Sequence, residues 1–263
     1  MPSATEAQPL QRQAEPEAHI EVKDLTMAYG SFVVQQDLTF TIRRGDIFII
    51  MGDSGCGKST LLRHMVGLKQ PAKGQVLYEG KDFWAADPAE RKHFMRHFGM
   101  SYQGSALWSS MTLAENIALP LQEYTDLSEA DMREIAQLKL ALVGLAGFED
   151  YYPSEISGGM MKRAGLARAM ALDPDILYFD EPSAGLDPIS SRLLDELIVQ
   201  LKESIGATVV MVTHELPSIF TIATNSVYLD AKTRTMIDYG NPRDLREHSK
   251  NAVVRQFLTR GIA

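Results

Sequence analysis

The sequence predicts one α/β domain with a mainly parallel sheet and a helical insertion in its middle, and three features predict it. The run DIFIIM (46–51) is apolar without a break after its first residue, as in a strand covered on both faces. It passes directly into the Gly-rich turn GDSGCGKST (52–60) and a helix-forming run, KSTLLRHMVGL. After a long helical stretch, strand and helix patterns then alternate from DILYF through LPSIFTIATN, the rhythm of a parallel sheet with crossover helices.

Taken in order, residues 1–18 are rich in Ala, Pro, Gln and Glu and read as a disordered leader. They lack the basic start and apolar centre of a signal peptide. HIEVKDLTMAYG reads as a strand, and so does FVVQQDLTFTIRRG, where Leu38, Phe40 and Ile42 alternate with polar residues as in a half-buried antiparallel strand. FGMSYQ is a further strand, and Leu113 to Gly147 is mostly helical, one helix starting at a Ser128 N-cap. DILYF and ATVVMVTH read as strands, PISSRLLDELIVQLKESIG and LPSIFTIATN as helices. SVYLD, RTMIDYG and the short helices PRDLREH and KNAVVRQFLTRG close the chain. The expected division is a main α/β body at 19–240, its helical part at about 104–172, and a C-terminal helical extension at 241–263.

Composition narrows the class. The 263 residues fit one large domain or two small ones, and 45% hydrophobic content supplies a sizeable core. A formal net charge of −8 argues against nucleic acid as the main partner. A lone cysteine excludes an internal disulfide framework and any multi-cysteine zinc site. The longest apolar runs, IFIIMG and ATVVMV, are strand-length, far below the roughly 20 residues a bilayer demands. A soluble chain is expected, with any membrane role coming through a partner.

The turn at Gly52, Asp53, Ser54, Gly55, Cys56, Gly57, Lys58, Ser59 and Thr60 satisfies G-x-x-x-x-G-K-[ST] between a strand and a helix. Its glycines let the backbone curl so that N–H groups face phosphate oxygens, and the helix points its positive end at the same place. Lys58 suits the β- and γ-phosphates and the Ser59 hydroxyl suits Mg²⁺. Cys56, at a helix N-terminus, is either a stabilised thiolate open to redox switching or a small filler turned away from the site.

Asp180 and Glu181 end a buried strand, which delivers them to the sheet edge where α/β ligands bind. Asp180 suits holding Mg²⁺ through water, and Glu181 suits polarising an attacking water as general base. His214 and Gln103 close two other strands at the same edge. Separately each is weak; with the phosphate loop they form a set. Ser157 caps a further helix starting near Gly159 or Met160, and Gly158 and Gly159 leave its N–H groups unhindered. Since the first loop already holds the phosphates of its own site, this second helix start makes most sense aimed at another copy's nucleotide. Two copies head-to-tail then share two sites.

With GDSGCGKST, Gln103, ISGGM, ILYFDE, AGLD and TH in that order, the sequence resembles the nucleotide-binding domain of ABC transporters from about Ile20 to Asp238. The resemblance implies a P-loop NTPase (RecA-like) core, an N-terminal antiparallel β subdomain, an inserted α-helical subdomain, and hydrolysis of ATP with Mg²⁺. It gives Tyr29 the role of stacking on adenine, the alternative being a strand-end packing residue. It makes Ser157 and Gly159 contacts to the partner's γ-phosphate, Asp187 the acid linking the two sites, and Gln103 a metal and water ligand. GSALWSSMTLAENIALP resembles the surface that receives a coupling helix from a membrane subunit, with Trp108 either an exposed anchor or a core residue. Two positions depart from the family pattern: Met160 stands where a glutamine is usual, and Ala184-Gly185 where Ser-Ala is usual.

SGGMMKRAGLARAMALDPDILYFDEP, QGSALWSSMTLAENIALPL, THELPSIFTIAT and VRQFLTRG are similar to the ATPases of Mla/MCE phospholipid transport systems of Gram-negative bacteria. This implies a homodimer held on the cytoplasmic face of the inner membrane by a permease, together with an MCE-domain lipid-binding protein. Its work would be moving phospholipids between inner and outer membranes to maintain outer-membrane lipid asymmetry. An importer ATPase for another small solute is the alternative. A DNA-repair or translation ABC protein would carry a long coiled-coil insertion or a second cassette, and a P-loop GTPase an Asn-Lys-x-Asp motif; the sequence has neither.

Overall fold

The structure, a computed structural model, describes residues 17–260. The expected leader therefore lies outside the described residues except for Glu17 and Ala18, and Ala18 already belongs to the first strand. Strands β1 (Ala18–Tyr29), β2 (Phe32–Arg43), β4 (Lys73–Tyr78) and β5 (Lys81–Asp82) form an antiparallel sheet in the order β2-β1-β4-β5. A second sheet contains β3 (Ile47–Gly52), β6 (Phe98–Ser101), β7 (Ile176–Asp180), β8 (Thr208–Val212), β9 (Asn225–Asp230) and β10 (Thr235–Gly240). Its order is β10-β9-β3-β8-β7-β6, and its neighbours are parallel except β10 on β9.

Every residue of β3, β7 and β8 is buried, as the unbroken apolar runs require. Side chains alternate between two cores. Ile49 and Met51 of β3 face the helical side, whereas Phe48 and Ile50 meet the antiparallel sheet and helix α1 (Lys58–Met65). Between β6 and β7 the chain is helical: α3 (Leu113–Tyr124), α4 (Glu129–Leu142), a 3-10 turn at Pro153–Glu155, and α5 (Gly158–Ala169). Thr112 with Glu115 and Ser128 with Asp131 make reciprocal capping boxes at α3 and α4. α6 (Pro188–Ile205) and α7 (Leu216–Ile222) flank β8 in sequence. α8 (Pro242–His248) and α9 (Ala252–Thr259) fold back onto the main core, where Phe257 sits edge-on to Tyr228 at 5.1 Å.

Three elements had no counterpart in the sequence reading: β4, β5 and α2 (Pro88–Arg96). Only Val76, Leu77 and Tyr78 of β4 are buried, and no residue of α2 is, so neither element leaves an apolar stripe. Among the described residues no helix is long and apolar enough to cross a membrane.

One buried acid is set between two helices that leave the C-terminal edge of the parallel strands. Asp195 of α6 is 4% exposed and faces Ser218 of α7. Burial pushes its carboxyl up to about 6, while the ordinary value is 3.8. Raising the pH between those values deprotonates the unfolded chain first, so stability falls across that window. Asp195→Asn should therefore be more stable than the parent by about 1–3 kcal/mol near pH 7 and lose that advantage near pH 4, read by urea unfolding at both pH values.

Candidate active site

The phosphate loop is built by a close approach of backbones. Gly52 ends β3 at φ +146°, and a Cβ there would lie 2.3 Å from the Leu229 carbonyl oxygen. Gly57 has φ +105°, and a Cβ on it would lie 2.8 Å from Val34 Cγ1. Gly57 is the N-cap of α1 and supplies no side-chain cap, so the first N–H groups of the helix are left to the loop's concave face. Lys58 Nζ folds back to donate to the carbonyls of Gly52 at 2.9 Å and Asp53 at 3.0 Å.

Gln35, which the sequence did not single out, holds the loop from behind. Its Nε2 donates to Cys56 O at 2.7 Å and to Asp230 O at 3.0 Å, and it is fully buried. Cys56 itself points inward and is 1% exposed. Of the two readings of Cys56, the small filler turned away from the site is the one the structure shows: desolvation by burial pushes the thiol up, outweighing the lowering by Lys58.

The strand ends converge as anticipated. Ser59 Oγ donates to Asp180 Oδ1 at 2.8 Å. Glu181, the next residue, takes a left-handed φ of +50° while its N–H donates to Val212 O at 2.9 Å, turning its side chain out of the β7 ladder. His214 Nδ1 lies 2.8 Å from Glu181 Oε1; with the carboxylate ionised, Nδ1 carries the hydrogen and donates it. Glu181 Oε2 is buried and has no hydrogen-bond partner among the described residues, so one acceptor of this acid is held ready for another group.

Tyr29, Gly52, Asp53, Ser54, Gly55, Gly57, Lys58, Ser59, Thr60, Gln103, Glu181 and His214 line one cavity of about 630 Å³, of a size that suits a nucleotide. Asp180 sits just behind Ser59. Tyr29 is 50% exposed at the end of β1; a hydrogen bond with Thr60 lowers its phenol, and Lys69 Nζ stands 2.8 Å from its ring centroid. Gln103 lies two residues beyond β6, and its carbonyl accepts from Lys162 of α5.

The second helix start lies apart in this copy. α5 begins at Gly158, a residue earlier than expected, and Ser157 Oγ accepts from Met160 N at 3.3 Å. Ser157 and Gly159 line a different cavity of about 510 Å³ with Arg163 and Leu186. Asp187 caps α6, accepting from the N–H groups of Ile189 and Ser190 at 3.0 Å each. Trp108 is 61% exposed beside Arg168, whose guanidinium holds the carbonyls of the left-handed pair Ser105 and Ala106. Core packing is thus not its role.

The family model described as ABC transporter matches residues 35–184. The probable ribonucleotide transport ATP-binding protein mkl of Mycobacterium tuberculosis is 42% identical over 239 residues, which is 91% of this chain and 66% of the relative. The chain therefore spans just under two thirds of the length of that Mycobacterium tuberculosis relative. The intermembrane phospholipid transport system ATP-binding protein MlaF of Haemophilus influenzae is 39% identical over 239 residues, 91% of this chain and 89% of the relative. Among solved structures, the dimeric bacterial ABC transporter cassette MJ0796 superposes with a TM-score of 0.76 at 28% identity, over 84% of this chain and 97% of that one. The same cassette in a post-hydrolysis state bound to ADP and Pi gives a TM-score of 0.74 at 29% identity, with the same coverage.

The buried thiol gives a direct check on the loop. Cys56 should react with a disulfide reagent at pH 8 about tenfold or more slowly in the native protein than in guanidinium, followed by thiolate release.

Proposed function

The chain belongs to the ABC transporter family as an ATPase subunit, and from that premise we propose that it closes as a homodimer on two ATP molecules and drives a permease carrying phospholipids between membranes. The observation that carries the catalytic half of this reading is the convergence of two pairs, Ser59–Asp180 and Glu181–His214, on the cavity lined by the phosphate loop.

An oxygen-only pair of hydroxyl and carboxylate fits a hard cation, and Ser59 and Asp180, with Gln103 at the cavity wall, are the residues that would hold Mg²⁺. When bound there, such an ion would supply positive charge to offset that of the triphosphate. The loop N–H groups and the α1 dipole grip the triphosphate, and Lys58 exchanges its carbonyl partners for phosphate oxygens. Glu181 accepts a proton from water as that oxygen bonds to the γ-phosphorus, and the bond from phosphorus to the β–γ bridging oxygen breaks to release ADP and phosphate. His214 fixes the carboxylate through Nδ1–H, and Tyr29 offers its exposed ring to the adenine.

Ser157 and Gly159 line a different cavity from this one, which supports their facing, with Gly158, the partner's γ-phosphate; Asp187, which caps α6, then lies at the seam. The phospholipid cargo is supported by the likeness to MlaF along nearly the whole of that relative. Transport of another small solute is the second reading, favoured by the mycobacterial relatives' ribonucleotide description. In either case the groove beside exposed Trp108 is the docking place for the permease, which holds the subunit peripherally on the cytoplasmic face of the inner membrane. An MCE-domain lipid-binding protein completes the phospholipid assembly.

Glu181→Gln should bind ATP, lose about a hundredfold or more of hydrolysis, and accumulate as a dimer on a sizing column; a monomeric, fully active variant contradicts the assignment of the base. Ser157→Arg should cut hydrolysis by about a hundredfold while ATP affinity measured on monomers stays within about twofold; monomers that no longer bind ATP contradict the shared-site geometry. Lipid and an MCE-domain protein copurifying with the tagged subunit from membranes favour the first cargo, and a soluble binding protein the second.

A further inference from the structure

We propose that Arg260, in the turn that ends α9, is a positioning residue of the hydrolytic site: it holds the main chain of His214, and so keeps the imidazole against Glu181. Arg260 Nη2 donates to the His214 carbonyl oxygen at 3.0 Å. The guanidinium carbon lies 3.9 Å from the centroid of the Phe257 ring, and Phe257 is anchored in the core against Tyr228. Arg260 also lines the cavity that holds Lys58, Glu181 and His214.

The need for such a clamp follows from the local chain. β8 ends at Val212, and the first carbonyl that α7 uses belongs to its N-cap, Glu215, which accepts from Ile219 N. His214 falls between them, so neither strand ladder nor helix fixes its carbonyl. Arginine suits the task because its planar fork can stack on an aromatic face while an N–H donates in the same plane. Lysine can reach a carbonyl but offers no plane to stack. Through this contact the C-terminal helix pair, which is packed on the sheet at α9, becomes part of the hydrolytic machinery.

The inference rests on the roles given above to Glu181 and His214, and the experiment separates the two. Steady-state ATP hydrolysis is measured for the parent, Glu181→Gln, Arg260→Ala, Arg260→Lys, His214→Ala and the double variant Arg260→Ala/His214→Ala. Arg260→Ala should lower kcat about tenfold with the ATP KM within about twofold, and Arg260→Lys should recover part of the loss. In the His214→Ala background the same change should have no further effect, because the clamp acts through that histidine. Should Arg260→Ala fail to fold, Arg260→Gln, which keeps a donor without the stacking plane, supplies the same comparison.

An unchanged kcat overturns the proposal. So does a raised KM at constant kcat, which would make the guanidinium a ground-state phosphate ligand, and so does an undiminished effect in the His214→Ala background. If the parent hydrolyses no ATP, or Glu181→Gln is as fast as the parent, it is the underlying assignment that fails.

Discussion

The site depends first on how closely the main chain of Gly52 approaches β9. With any Cβ at Gly52 the Leu229 carbonyl would have to move, and Gly52 is the residue paired with Leu229 in the β3–β9 register. That contact fixes where β3 stops and the phosphate loop starts. The neighbouring registers then carry the position sideways: Val212 of β8 pairs with Ile50 on one side and Asp180 on the other. Ser59, Asp180 and Glu181 therefore arrive at one edge of the sheet because β7 and β8 end level with each other, at the register of Ile50, and β3 runs two residues further into the phosphate loop.

Much of this was legible in the amino-acid order because it rests on short-range rules. The runs at β3, β7 and β8 have no polar residue where a half-exposed strand needs one, and Ser128 and Ser157 stand where their helices begin. The phosphate loop is a motif whose glycines have a local conformational reason. What escaped reading depends on distant partners or on a break in period. Alternation through Leu38, Phe40 and Ile42 points Gln36 inward; instead Leu25 pairs with Leu38 and Met27 with Gln35, an extra residue in β2 that turns Gln35 into the core and leaves Gln36 exposed. Asp37 accommodates it at φ +54°. Cys56 was legible only as a choice between two readings: a helix N-terminus favours the thiolate locally, and burial, which the sequence does not display, decides for the filler. Arg260 was invisible because its partners are a carbonyl 46 residues away in the chain and a ring on its own helix.

Helix α5 gives the fold a route between the cavity and the surface around Trp108. Its Lys162 holds the carbonyl of Gln103, and nearly two turns later its Arg168 holds those of Ser105 and Ala106. Gly165 lies between them, and its missing side chain lets the loop sit close, since a Cβ there would be 3.0 Å from Ser105 Cβ. Ala164 and Ala167 continue the small face into the core at 1% exposure each. The loop that carries Gln103 and Trp108 is therefore clamped to one rigid helix, whose other end is the Ser157–Gly159 start. In the proposed dimer, a force at the exposed groove and a partner's phosphate at the helix start would act on the same element, which is the physical requirement for coupling them.

The two helix starts are finished differently, and the difference bears on how the proposed dimer works. α1 is uncapped by any side chain and meets its own loop's cavity; α5 is capped by Ser157 and opens on a separate cavity. A two-fold pairing that brings each α5 start over the other copy's loop repeats one contact twice and closes, so both sites come out equal. ATP can favour that closed pair only through contacts it makes there and lacks on a single copy. In the proposed geometry these are the contacts between the Ser157–Gly159 backbone and the terminal phosphoryl group. In the proposed mechanism that group is also the one Glu181 directs water to remove. Hydrolysis thus deletes the interaction that stabilised closure, and reopening needs no separate trigger.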